Sequence, residues 1–273
     1  MSDAKYYFPH GGLPNQEKLL TGRAIFKEAY VVIPREVMTD IVTSFFPNWE
    51  RARAWVLAKP LSGFSTTFSQ YIMNIHPGGG SERPEEQRGV QSVIFVLHGK
   101  LDLQIEENHI ELRPGFYCYI PPDIAWKIKN KTKTDAYFKW IRKKYDVCSG
   151  IEVPDFFVKY EREIEPVKMH KDNASWTTTR FVDPADIRHD MHVNIVNFKP
   201  GGTIPFMETH VMEHGIYILQ GKGAYRLNDD WVEVQAGDFL WLRAFCPQAC
   251  YAGGPEDFRY LLYKDVNRQM ILP

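Results

Sequence analysis

A chain of 273 residues with net charge -1 carries no basic surplus that would draw it to nucleic acid or to an anionic membrane. Hydrophobic content of 44% with 14% aromatics supplies the core of one large domain or two ordinary ones. No apolar run approaches the ~18 residues of a spanning helix, and the polar N-terminus, MSDAKYYFPHGG, has no apolar signal core. The four cysteines, Cys118, Cys148, Cys246 and Cys250, form no CxxC pair and read as reduced structural thiols of a cytoplasmic protein.

In chain order, residues 1–65 read as an N-terminal arm and lead-in strands. Pro9, Gly11, Gly12 and Pro14 mark the arm; AIFKEAYVVI, DIVTSFF and ARAWVLA follow, separated by Pro34, Pro47 and Pro60, with a short helix around residues 35–40. Residues 66–146 form a first β-domain. Its segments FSTTFSQYIMNI, SVIFVLHG, KLDLQI, HIEL, PGFYCYIPP, IAWKIKN and AYFKWIRKKY alternate with Gly, Pro and Asn turns, as in an antiparallel sandwich or barrel. Residues 147–190 are charged and irregular and read as a linker with connecting strands, plus one turn of helix after Pro184. The basic run RKKY at 142–145 reads as a solvated face.

From Met191 the first pattern returns, so residues 191–273 form a second β-domain. MHVNIVNFKPGG matches QYIMNIHPGG, HGIYILQGKGAYRL matches QSVIFVLHGKLDLQI, and QAGDFLWL matches RPGFYCYI. Gly221 and Gly99 differ by 122, as do Lys222 and Lys100, and Gly237 and Gly115; the PGG turns differ by 123. A long internal repeat of this kind means two copies of one β-fold.

The second copy carries Glu208, His210 and His214 within seven residues, on short strands framed by glycines. Residues two apart on a strand face one side, and a short turn returns the chain to the next strand. Two imidazoles and a carboxylate suit Mn, Fe, Co, Ni or Zn. A fourth ligand is expected downstream, with Gln248 the candidate. The matching positions of the first copy are Glu86, Arg88, Ser92 and Trp126, of which three offer no comparable donor. The first copy is therefore expected to be metal-free. His76, His98 and His109 read as structural, and Glu213 as a solvent-facing carboxylate in the turn before His214. Tyr260 and Lys264 are four apart on FRYLLYK and share a strand face that points into a barrel; Tyr225 is a weaker candidate for the same interior.

Gly202, ETH at 208–210, His214 and Gly221 resemble the first cupin motif, G-x5-HxH-x3/4-E-x6-G, with Glu and His exchanged. Gly237 and Gln248 resemble the second motif, with Gln in place of its last His and Arg243 in place of its usual Pro. The chain as a whole resembles a bicupin, an all-β protein of two tandem double-stranded β-helix (jelly-roll) barrels. Within bicupins, ETHVMEHGIYILQGKG, LNDDWVEVQAGD and YLLYKDVNR are similar to the (S)-ureidoglycine aminohydrolase family, manganese enzymes of allantoin breakdown. The resemblance implies that Glu208, His210, His214 and Gln248 hold Mn(II). It also implies that Glu208, Gln248, Tyr260 and Lys264 meet the substrate, with Glu208 and Lys264 catalytic, and that ammonia is released from ureidoglycine. A homo-oligomer is expected, acting on a small molecule. Two other readings share these residues: a dioxygenase or isomerase at the same metal, and a ligand-binding bicupin without turnover.

Overall fold

A computed structural model describes residues 4–12, 23–60, 63–171, 173–265 and 268. Among them the regular structure is strand, broken only by 3-10 turns at Arg35–Val37, Asp40–Val42 and Glu161–Glu163. The helix expected around residues 35–40 is two such turns, split at Met38 and Thr39. The helix expected after Pro184 does not form. There the Asp183 carboxylate accepts from Ala185 N at 2.9 Å and its carbonyl accepts from Asp186 N at 3.0 Å, a local turn that satisfies the backbone. Among the described residues no helix is long and apolar enough to cross a membrane.

The strands build two barrels. In the first, Ser69–Ser81 pairs with Ala136–Lys144, Trp126–Lys129 and Glu50–Ala58. Its thirteen residues run through both layers of the barrel. In the second, Phe258–Asp265 lies between Met191–Phe198 and His214–Gln220. A smaller sheet of Asp230–Gln235, Lys222–Leu227 and Gln248–Gly253 covers the other side. Outer strands alternate buried and exposed residues, as in Leu101–Ile105 and Asp230–Gln235. The central strands Val90–His98 and His214–Gln220 are buried almost throughout. One face of each fills its own barrel and the other packs against the neighbouring barrel. Phe68, Phe95, Tyr117, Phe181, Tyr217 and Tyr263 belong to that shared core.

The connections interlock the barrels. Tyr30–Ile33, ahead of the first barrel in sequence, pairs with Phe239–Leu242 of the second, with Val32 opposite Leu240. Phe157–Tyr160, beyond the first barrel, pairs back onto Phe116–Ile120 within it. The N-terminal arm lies along the seam: Tyr7 N donates to Leu219 O at 2.8 Å, and Tyr6 OH donates to Glu161 at 2.7 Å.

The repeat survives at atomic detail. Gly99 and Gly221 have φ of +72° and +74°. A Cβ on them would meet the carbonyl oxygens of Asp135 and Asp257 at 2.5 and 2.4 Å. The contacted residues are again 122 apart, so one tight turn, open only to glycine, is used twice.

The run at 142–145 is not a solvated face. Lys143 is 5% exposed and donates to the Asp190 carboxylate at 2.7 Å, and Tyr145 is buried. Arg142 and Lys143 close the strand Ala136–Lys144 on carboxylate partners, while Lys144 alone is exposed to solvent.

Candidate metal centre

The floor of the second barrel is a ladder of cross-strand neighbours. His214 stands opposite Lys264, which stands opposite His192. The next rung is Ile216, Leu262, Asn194 and Arg180; the one after is Ile218, Tyr260, Val196 and Thr178. Alternate residues of a strand share a face, so these rungs aim Lys264, Tyr260, Arg180 and His214 at one pocket. That pocket, about 120 Å³, is lined by all four together with Glu208, His210, Tyr225 and Gln248. It suits a compact small molecule and not a polymer.

Glu208 and Gln248 meet through a single antiparallel bridge, Glu208 N to Gln248 O at 3.0 Å and Gln248 N to Glu208 O at 2.9 Å. Their side chains follow: Gln248 Nε2 lies 3.4 Å from Glu208 Oε1 and 3.5 Å from His214 Nδ1. His210 Nε2 is 3.3 Å from Glu208 Oε1, and the two imidazole rings are 5.1 Å apart. Of the three clustered residues only His214 lies on a regular strand. His210 is in a loop, tied by Phe245 N donating to its carbonyl at 2.6 Å. All four expected ligands are thus brought together.

His214 is 3% exposed, and its Nε2 has no hydrogen-bond partner. Burial, then the neighbouring His210 and Lys264, push its pKa down to about 3. It is therefore a neutral imidazole with a free ring nitrogen, the form that binds a metal. Tyr225 OH donates to Gln248 Oε1 at 3.1 Å and lies 3.4 Å from Tyr260 OH. Burial raises both phenols well above the ordinary tyrosine range, so both remain protonated. Among the described residues no three His, Cys, Asp or Glu side chains form a closed metal-binding cluster. Here Glu208 and His210 pair with each other and the fourth donor is an amide. The donor chemistry still fits a borderline divalent ion: one orphaned buried imidazole nitrogen, a second imidazole, a carboxylate and an amide.

Lys264 is held below the ordinary lysine range by burial and then by Arg180, against the opposing pull of Glu208 and Asp265. Arg180 was invisible in the sequence because it ends a segment, TTTR, that reads as linker. In the fold that segment is the strand Asn173–Arg180, paired with Met191–Phe198.

Glu213 is not solvent-facing. It is 4% exposed and accepts from Thr66 N at 2.7 Å, Thr67 N at 2.9 Å, Thr67 Oγ1 at 2.5 Å and Trp241 Nε1 at 2.5 Å. It pins the chain just before the first-barrel strand Ser69–Ser81 against the strand that begins at His214. Gly215 makes the same approach possible, since a Cβ there would lie 2.5 Å from the Phe68 ring.

The matching part of the first barrel is filled by aromatic rings. Trp126 and Trp140 pack edge to face at 6.2 Å, Trp140 Nε1 donates to Ser92 Oγ at 3.1 Å, and Trp49 lies 5.3 Å from Trp140. Glu86 and Arg88 are exposed, Glu86 at the edge of a cavity that Trp49, Trp140 and Arg142 also line.

A family model described as "Cupin domain" matches residues 71–142 and 194–263. The chain is similar to the (S)-ureidoglycine aminohydrolase of Escherichia coli K12, 29% identical over 93% of this chain and 95% of that one. It is 31% identical to a probable (S)-ureidoglycine aminohydrolase of Oryza sativa subsp. japonica, over 92% of this chain and 77% of the relative. Among solved structures, a putative glyoxylate induced protein of Pseudomonas aeruginosa is 57% identical and superposes with a TM-score of 0.92 over 99% of both chains. The chain is a bicupin, with a copy of the cupin domain in each half, and belongs to the (S)-ureidoglycine aminohydrolase family.

Proposed function

We propose that this protein is a manganese-dependent hydrolase that releases ammonia from (S)-ureidoglycine to give (S)-ureidoglycolate, a step of allantoin breakdown. The observation that carries the proposal is the unpartnered, buried Nε2 of His214, set among Glu208, His210 and Gln248 in a pocket that also holds Lys264 and Tyr260. The names of the relatives from Escherichia coli and Oryza sativa support it.

Glu208, His210, His214 and Gln248 would hold the ion. A divalent ion bound there supplies Lewis-acid stabilisation of developing negative charge. The chain's own residues do the rest. Lys264 holds the substrate carboxylate, and the Tyr260 hydroxyl donates a hydrogen bond to the ureido oxygen. Water supplies the hydroxyl that replaces the amine on the carbon, and Glu208 takes the proton that water loses and passes it to the departing nitrogen, which leaves as neutral ammonia. Contacts to three groups around one carbon account for selection of the S enantiomer.

The test is metal analysis followed by an ammonia assay on freshly prepared ureidoglycine, with oxygen uptake in parallel. Wild type releases ammonia without consuming oxygen. Gln248→Ala and Lys264→Ala each lower turnover by about a hundredfold or more. Unchanged turnover in both variants sinks the proposal, and oxygen uptake would favour a dioxygenase at the same residues.

A further inference from the structure

Two cations line the second-barrel pocket, and among the described residues neither has a carboxylate partner. Lys264 makes no hydrogen bond or ion pair there, and Arg180 makes only a 3.9 Å contact from Nη2 to Met169 Sδ. Partly buried charges of one sign, side by side, are costly without a counter-ion.

The first barrel shows what satisfies a cation at this point of the fold. Arg142 precedes Lys264 by 122 residues and stands opposite Ser92 in its ladder, as Lys264 stands opposite His214. Ser92 and His214 are also 122 apart, so the two cations are equivalent. Glu85 lays its carboxylate across the Arg142 guanidinium, with Nε to Oε2 at 2.5 Å and Nη2 to Oε1 at 2.6 Å, and is 8% exposed. This is a bidentate, charge-assisted pair. Among the described residues no carboxylate of the second barrel lies across Lys264 in this way: Met207 is 44% exposed and carries no charge, and Glu208 lies against His210 and Gln248 instead. In the half that carries the imidazoles the strand cation therefore has no carboxylate laid across it, because the pocket's one nearby carboxylate, Glu208, is turned to His210 and Gln248.

Arg180 has no cationic counterpart. It stands opposite Asn194, which stands opposite Leu262. In the first barrel the equivalent row is Val56, Tyr71 and Trp140. A guanidinium therefore stands where the first barrel has an isopropyl group.

We propose that Arg180 and Lys264 together take the carboxylate of the substrate, in the manner that Arg142 takes Glu85. Arg180 is then the residue that sets the preference for a carboxylate over an uncharged group. The identity of the substrate rests on the hydrolase reading above; the requirement for a carboxylate rests on the two cations alone. A planar, permanently charged fork suits this role better than a second lysine would.

The test is calorimetric binding to the metal-loaded protein of N-carbamoylglycine, which lacks the departing amine, and of its uncharged primary amide. Wild type binds the acid about ten- to hundredfold more tightly than the amide. Arg180→Ala loses most of that ratio by weakening the acid, leaves the amide unchanged, and keeps wild-type metal content. Arg180→Lys retains part of the ratio. A wild-type ratio in Arg180→Ala overturns the proposal; should that variant fail to fold, Arg180→Gln is read in the same way. A wild-type protein that shows the ratio but releases no ammonia from ureidoglycine sinks the hydrolase reading and leaves the anion site standing. Ammonia release with the ratio intact in Arg180→Ala does the reverse.

Discussion

Two histidines of the second barrel sit in the core as neutral bases. Burial, then Lys264 and His189, push His192 down to about 4, and His214 is pushed down to about 3. The unfolded chain, with ordinary histidines near 6.5, binds protons first as pH falls. Their contribution to stability is therefore present above about pH 6.5 and drains away as pH drops towards 4 and then 3. The loss is on the order of 1 kcal/mol per pH unit for each histidine. The urea midpoint of the metal-free protein should fall clearly between pH 7 and pH 5. A midpoint that does not move would show that these imidazoles are protonated or solvated in the folded state. At this scale the sequence was informative about the donors, because Glu208, His210 and His214 are close in the chain and two of them are the rarest useful side chains. It was silent about Arg180, whose place depends on a strand pairing and not on a motif.

At the scale of elements, the strand that begins at His214 is located by what lies before and beneath it. Glu213 receives five hydrogen bonds from Thr66, Thr67 and Trp241, and Gly215 lets Phe68 approach. Removing a buried acceptor of this kind strands all its donors. Glu213→Ala should cost about 3 kcal/mol or more in urea unfolding and lower metal affinity through the displaced His214. Glu213→Gln keeps an acceptor and should cost less. A loss below about 0.5 kcal/mol for the alanine variant would contradict the pin. Strand periods and glycine turns made most of these elements legible in advance. The turn carboxylate was misjudged because its partners lie nearly 150 residues earlier, at Thr66 and Thr67, and no local pattern announces so distant a contact. The same holds for Arg142 and Lys143, whose charges are matched by Glu85 and Asp190 across the fold.

At the scale of the molecule, a duplicated barrel has divided its work. The first copy lines its mouth with tryptophan rings and closes Arg142 on Glu85; the second lines it with imidazole, carboxylate and amide, and leaves two cations facing in. Duplication itself was plain from the 122-residue offset that recurs from Gly99 and Gly221 onward. The exchange of strands between the halves was not, because Tyr30–Ile33 could pair equally well with either barrel on local pattern alone. The most direct measurement of the division is elemental analysis of metal per chain in wild type, His214→Ala and Arg88→Ala. The account predicts about one divalent ion in wild type, almost none in His214→Ala, and the wild-type content in Arg88→Ala. Full metal content in His214→Ala, with loss in Arg88→Ala, would contradict it.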